Sequence, residues 1–83
     1  YPNPFRQSTT IEFDLPERTS VQLTVYDVLG RQVATLVDER RPPGRNEVNW
    51  SPQAQGRSLP SGVYFVRLKA GGTSRTSRMT IVR

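Results

Sequence analysis

The stretch Ser61-Gly62-Val63-Tyr64-Phe65-Val66-Arg67-Leu68-Lys69 decides how this chain folds. Tyr64, Val66 and Leu68 alternate with Phe65, Arg67 and Lys69. Side chains on an extended backbone point to opposite faces in turn, so a period of two predicts a strand with one apolar face. The run is rich in β-branched and aromatic residues, which fit a pleated, half-buried surface. Gly71-Gly72 follows, and a glycine pair between two extended runs reads as a hairpin turn. The last strand is then expected from about Thr76 to Val82, with Met79 and Ile81 turned inward.

The same alternation recurs upstream. Ile11, Phe13 and Leu15 alternate with Thr10, Glu12 and Asp14; Val21, Leu23 and Val25 alternate with Gln22, Thr24 and Tyr26. Both predict half-buried strands, and the polar Pro16–Ser20 run between them suits a hairpin. Asp27 to Arg31 turns the chain, with Gly30 at φ > 0, a conformation glycine reaches at little cost. Gln32 to Val37 is expected as a short strand, with Val33 and either Ala34 or Leu36 reaching the core. Asp38-Glu39-Arg40-Arg41-Pro42-Pro43-Gly44 reads as the next turn. Asn46, Val48 and Trp50 share one face of a further strand, the apolar pair pointing inward. Ser51 to Arg57 is a loop, and the Pro2-x-Pro4 opening belongs at a sheet edge or a domain entry. Six or seven short strands separated by turn signals predict an all-β, immunoglobulin-like antiparallel sandwich, a single domain over residues 1–83.

Composition removes most chemistries. With 83 residues and no cysteine, the domain holds together without disulfides. The absence of histidine removes the commonest general base and the commonest zinc ligand together. Glu12 and Asp14 fall on the wet face of their strand, which argues against a catalytic carboxylate pair. Asp38-Glu39 is the one adjacent acidic pair, too little for a metal site. No cofactor is expected and no enzymatic activity. No apolar run reaches about 18 residues, so no transmembrane helix and no membrane insertion are expected. No signal peptide is visible. The start on Tyr1-Pro2-Asn3-Pro4 resembles that of an excised module, so any export signal is expected upstream.

Net charge is +5, and eleven of the twelve basic residues are arginine, Lys69 being the exception. These arginines are scattered along the chain, which favours an ordinary solvated surface over a nucleic-acid site. Phe65, Arg67 and Lys69 share a face, but three residues are too few to track a single strand of nucleic acid. A carbohydrate-binding or other accessory interaction module is the competing reading. Its candidate platform residues are Tyr1, Phe5, Tyr26, Trp50, Tyr64 and Phe65, of which Trp50 and Tyr64 are expected inside.

Four segments in order carry a family resemblance. They are Tyr1-Pro2-Asn3-Pro4-Phe5, Tyr26-Asp27-Val28-Leu29-Gly30-Arg31, Ser61-Gly62-Val63-Tyr64 with Arg67-Leu68, and Arg78-Met79-Thr80-Ile81-Val82-Arg83. Together the chain resembles the C-terminal sorting domain of the type IX (Por) secretion system of Bacteroidetes-like bacteria. The run from Trp50 through Gly56-Arg57 and Leu59-Pro60-Ser61-Gly62-Val63-Tyr64 is similar also to the immunoglobulin-like domain of the flagellar hook-capping protein. Two departures stand out: Arg78 where the sorting family often has lysine, and Ser51-Pro52 after Trp50 where relatives often have an acidic turn.

The resemblance implies a signal that directs an upstream cargo across the outer membrane, through the periplasm to the cell surface or the medium. The implied partners are the outer-membrane type IX translocon and a sortase-like peptidase. It implies recognition through Arg78, Met79, Thr80, Ile81, Val82 and Arg83. It implies a fold motif built on Pro2, Pro4, Tyr26, Asp27, Gly30, Trp50, Gly62, Tyr64 and Leu68.

Overall fold

The computed structural model describes residues 8–51 and 59–82. Pro2, Pro4, the loop residues 52–58 and Arg83 lie outside them. Six antiparallel strands make up the described chain: β1 (Thr9–Leu15), β2 (Thr19–Tyr26), β3 (Gln32–Arg41), β4 (Gly44–Trp50), β5 (Gly62–Ala70) and β6 (Thr73–Ile81). β1 and β4 form a two-stranded sheet, and the other four form a sheet in the order β3-β2-β5-β6. The all-β class and the sandwich-like arrangement read from the alternation are therefore present.

The core is the set of alternate side chains. Val21, Leu23 and Val25 of β2 and Tyr64 and Val66 of β5 are buried, as are Ile11, Phe13 and Leu15 of β1 and Trp50 of β4. Met79 and Ile81 of β6 close one side at 0% and 1% exposure. The register Leu23↔Leu68 and Val25↔Val66 stacks apolar partners across the two central strands. Cross-strand pairs of this kind are the unit of sheet stabilisation.

Four expectations need correction. Pro16 to Arg18 is not a hairpin: β1 and β2 belong to different sheets, so this segment carries the chain from one layer to the other. β3 runs on to Arg41, through the residues expected to turn. The reason is that β2 begins at Thr19 and supplies a partner for each of them, from Gln22↔Asp38 to Thr19↔Arg41. β3 ends its sheet, and charged side chains are well tolerated on an edge strand. β6 starts at Thr73 rather than Thr76, because the two-residue turn at Gly71-Gly72 pairs Ala70 directly with Thr73. Those glycines have φ of 57° and 82°, the pair of positive angles that matches a tight hairpin to the strand twist.

The fourth correction concerns which residues of β3 face the core. Val33 with Ala34 or Leu36 reaches the core as expected, but from partly buried positions, and the fully buried residue of this strand is Val37, which the alternation did not single out. Two register shifts are responsible. Leu23↔Val37 is followed by Thr24↔Thr35, and Val25↔Ala34 by Tyr26↔Gln32, which leaves Leu36 and Val33 as extra residues. Each bulge breaks the period of two locally. Val33, Ala34 and Leu36 all pack against the core from partly buried positions.

Between β3 and β4 only Pro42 and Pro43 intervene, and there the chain changes sheet. Buried Asn46 holds this corner: its Nδ2 donates to the carbonyls of Pro42 (3.0 Å) and Gly44 (3.3 Å). Its inward position matches the expected face, and its partners explain why a buried amide is acceptable there.

The buried face of β2 should dominate stability. Leu23→Ala is expected to destabilise the domain by about 2–4 kcal/mol, and Gln22→Ala on the opposite face by less than about 0.5 kcal/mol. Urea unfolding followed by tryptophan fluorescence separates the two, and equal effects would contradict this face assignment.

Candidate functional site

The β2–β3 turn is organised by one carboxylate. Asp27 Oδ1 accepts the backbone N–H groups of Leu29 and Arg31, both at 2.9 Å. Its Oδ2 accepts from Arg31 Nε, also at 2.9 Å. Backbone bonds close the loop: Asp27 N–H donates to the Arg31 carbonyl (2.9 Å) and Gly30 N–H to the Asp27 carbonyl (3.0 Å). Gly30 sits at φ 81°, as expected. A short acidic side chain that bonds the backbone two residues on is a strong turn former. Here it also bonds four residues on, so the turn is locked from both ends.

The Asp27 carboxyl is held below the ordinary aspartate value of 3.8. The largest cause is the Arg31 backbone N–H. Desolvation opposes the shift, while the Arg31 side chain and the Leu29 N–H add to it. Hydrogen bonds to a charged carboxylate favour that form.

The lock fixes the display of Val28 and Leu29, which are 66% and 74% exposed. These large apolar side chains stand in water on a rigid turn. Beside them lies a shallow cavity of about 430 Å³, lined by Asp27, Arg31, Val33, Leu59, Gly62 and Tyr64 among others. The Tyr-Asp turn and the Ser-Gly-x-Tyr strand, more than thirty residues apart in sequence, thus meet at one end of the sandwich. Tyr64 is buried and its Oη donates to the Pro60 carbonyl at 2.7 Å, which ties the entry segment to β5. The pair Gly62↔Ile81 brings the end of β6 to the same place.

The expected recognition residues divide by face. Met79 and Ile81 are core residues, and their side chains offer nothing to a partner of the folded domain. Arg78 is exposed opposite Phe65, and Thr80 and Val82 are half-buried. Among the fold-motif residues, Tyr26 and Asp27 are half-buried, Trp50 is 5% exposed, and Leu68 is half-buried. Val28 and Leu29 were not singled out from the sequence. The available signal was an apolar pair inside a segment already marked as a turn by Asp27 and Gly30.

The surface has a limited chemical repertoire. Glu12 and Asp14 are exposed, with Arg45 at 4.0 Å and 3.9 Å. Among the described residues no group of three or more Asp, Glu, Cys or His side chains is arranged to hold a metal ion. No helix among them is long and apolar enough to cross a membrane. Of the aromatic residues considered for sugar binding, Trp50 and Tyr64 are in the core, while Tyr26 and Phe65 face each other half-buried across β2 and β5. Tyr1 and Phe5 lie outside the described residues.

A family model described as secretion system C-terminal sorting domain matches residues 1–83. No curated protein and no solved structure matches the chain.

The turn lock has a pH signature. The folded-state pKa of Asp27 lies below its unfolded value, so its contribution is complete above the unfolded pKa and is lost as pH falls through the folded one. Melting temperature should therefore drop on acidification below about pH 4, and the gap between the native chain and Asp27→Asn should close over the same range. Thermal melts of both proteins across pH would show it, and a gap independent of pH would remove the carboxylate from the account.

Proposed function

The chain belongs to the family of secretion system C-terminal sorting domains, and we propose that it carries a cargo fused ahead of it across the outer membrane to the medium or the cell surface. Domains of this family are C-terminal sorting signals for type IX secretion, which is export across the envelope, and the family is not one of enzymes. The match over residues 1–83 is the observation that carries the proposal. In this reading an outer-membrane translocon grips the folded domain, and a sortase-like peptidase cuts upstream of it. The domain itself performs no reaction and acts as the recognised ligand.

The geometry supports a recognition role at the Asp27–Arg31 end. A partner that reads a folded object needs side chains held still and facing out. Val28 and Leu29 meet that need, since the bonds to Asp27 remove most of the freedom that binding would otherwise have to remove. The end of β6 reaches the same end of the sheet, beyond β5, through Gly62↔Ile81, and in this reading the turn and the terminal strand both belong to the recognised surface. Removing Thr80–Arg83 takes away Ile81, which is 1% exposed, so that deletion tests folding and recognition together. Surface substitutions separate the two.

A reporter carrying a periplasmic export signal and this chain at its end should appear outside a type IX-competent cell. Deleting Thr80 to Arg83 should trap it in the periplasm. The double variant Val28→Ser, Leu29→Ser should melt as the native chain does yet lower the secreted fraction severalfold. Secretion of the unmodified fusion that does not depend on the type IX machinery would sink the proposal. Full secretion of the double variant would take the turn out of the recognised surface.

A further inference from the structure

Glu47 is the last carboxylate-bearing side chain of the sequence. Residues 1–47 hold seven acids against six arginines, a net of −1, while residues 48–83 hold six cations and no acid, a net of +6. Four of the twelve basic residues, Arg67, Lys69, Arg75 and Arg78, are gathered by the β5–β6 pairing. On the outer face of that hairpin Arg67 stands opposite Thr76, Lys69 opposite Ser74, and Arg78 opposite Phe65. Arg75 lies on the other face, opposite Leu68, at the rim of a groove of about 650 Å³ between β1 and the hairpin. The hairpin itself holds no acid; Glu12, Asp14 and Glu17 lie across the groove from it, and Asp38 lies on the same outer face, separated from Lys69 by Gln22. On the outer face of the small sheet Glu12 stands opposite Glu47, and Asp14 opposite Arg45.

β6 is also the last strand of its sheet, and every residue from Thr73 to Arg78 is exposed. Among the described residues no strand pairs with the outer edge of Thr73–Ser77. A row of unpaired N–H and C=O groups is a template for another strand. The segment contains no proline, which would have interrupted that template.

We propose that the Thr73–Ser77 edge of β6 receives an extended, acidic segment of a partner polypeptide, which joins the sheet as a fifth strand. The edge selects a polypeptide, because only another backbone supplies matching donors and acceptors along its length. Charge selects an acidic one: β5 and β6 carry Arg75 on one face and Arg67 and Lys69 on the other and hold no carboxylate of their own, while Glu12, Asp14 and Glu17 line the far side of the groove that Arg75 shares. A second β6 is disfavoured, since antiparallel self-pairing brings the arginines of the two copies together. The inference concerns the folded domain alone and goes beyond the sorting reading. It is measured without secretion machinery, so either can fail while the other stands.

The test titrates the ¹⁵N-labelled 83-residue chain at low salt with a blocked peptide of alternating threonine and glutamate, about eight residues long, the size of an ordinary strand. Amide shifts should concentrate at Thr73–Ser77, and those amides should gain protection from exchange. Arg75→Gln, at an exposed site, should keep the native melting temperature and weaken binding about two- to fivefold, the scale of one exposed charge pair. The same peptide with alternate amides N-methylated keeps its charge but cannot pair, and it should not bind. Equal binding of the methylated peptide, or displacement of the parent peptide by a sulfated polysaccharide of equal charge, overturns the strand-addition reading. So does the absence of binding. Shifts at Thr73–Ser77 that follow protein concentration alone, with sedimentation as a dimer, would assign the edge to a second copy and overturn it as well.

Discussion

Everything in this molecule depends on alternate side chains of β2 and β5 being taken out of water between two sheets. Val21, Leu23, Val25, Tyr64 and Val66 form the floor on which β1 and β4 sit. The chain has no cysteine, so this burial is not reinforced by a covalent staple. Apolar burial is the dominant favourable term in such a domain, and it is roughly proportional to area. The covering sheet has only two strands, and the first six residues of β6, Thr73 to Arg78, stay exposed at the edge of the larger sheet, along a groove shared with β1.

The two ends of the sandwich differ in what they expose. One end of the sandwich gathers the Asp27 lock, the exposed Val28-Leu29 pair and the close of β6. The opposite end of β6 carries the hydroxyl- and arginine-rich edge beyond Gly71-Gly72. The terminal strand therefore has two roles along its length. Met79 and Ile81 hold the core, while its first residues face solvent. In the proposed reading this division matters, because the same side chain cannot be both buried and touched by a partner.

Much of the architecture was legible because burial leaves a regular trace. Ile11-x-Phe13-x-Leu15, Val21-x-Leu23-x-Val25 and Tyr64-x-Val66 each appear as strands with the expected inward face. The turn at Gly30 and the hairpin at Gly71-Gly72 were legible because few other residues take those angles. The failures lie where the trace is irregular. β3 contains two bulges, so no single alternation describes Val33 to Val37. Thr73 to Ser77 has no apolar face, and its strand character is imposed by its neighbour β5. Pro16 to Arg18 and Pro42-Pro43 look like hairpin turns, but both carry the chain between sheets.

By itself the sequence determined the class of fold, the inward faces of the regular strands and the family to which the chain belongs. Those properties are written in local spacing and in motif order, which survive without coordinates. Only the tertiary structure decided the sheet membership of each strand, the meeting of the Asp27 turn with Gly62 and Tyr64, and the gathering of Arg67, Lys69, Arg75 and Arg78 on one hairpin. The physical reason is that pairing register and layer crossing are long-range choices, made by packing between residues far apart in the chain. A pattern with a period of two says which side of a strand is dry, but not which strand lies beside it.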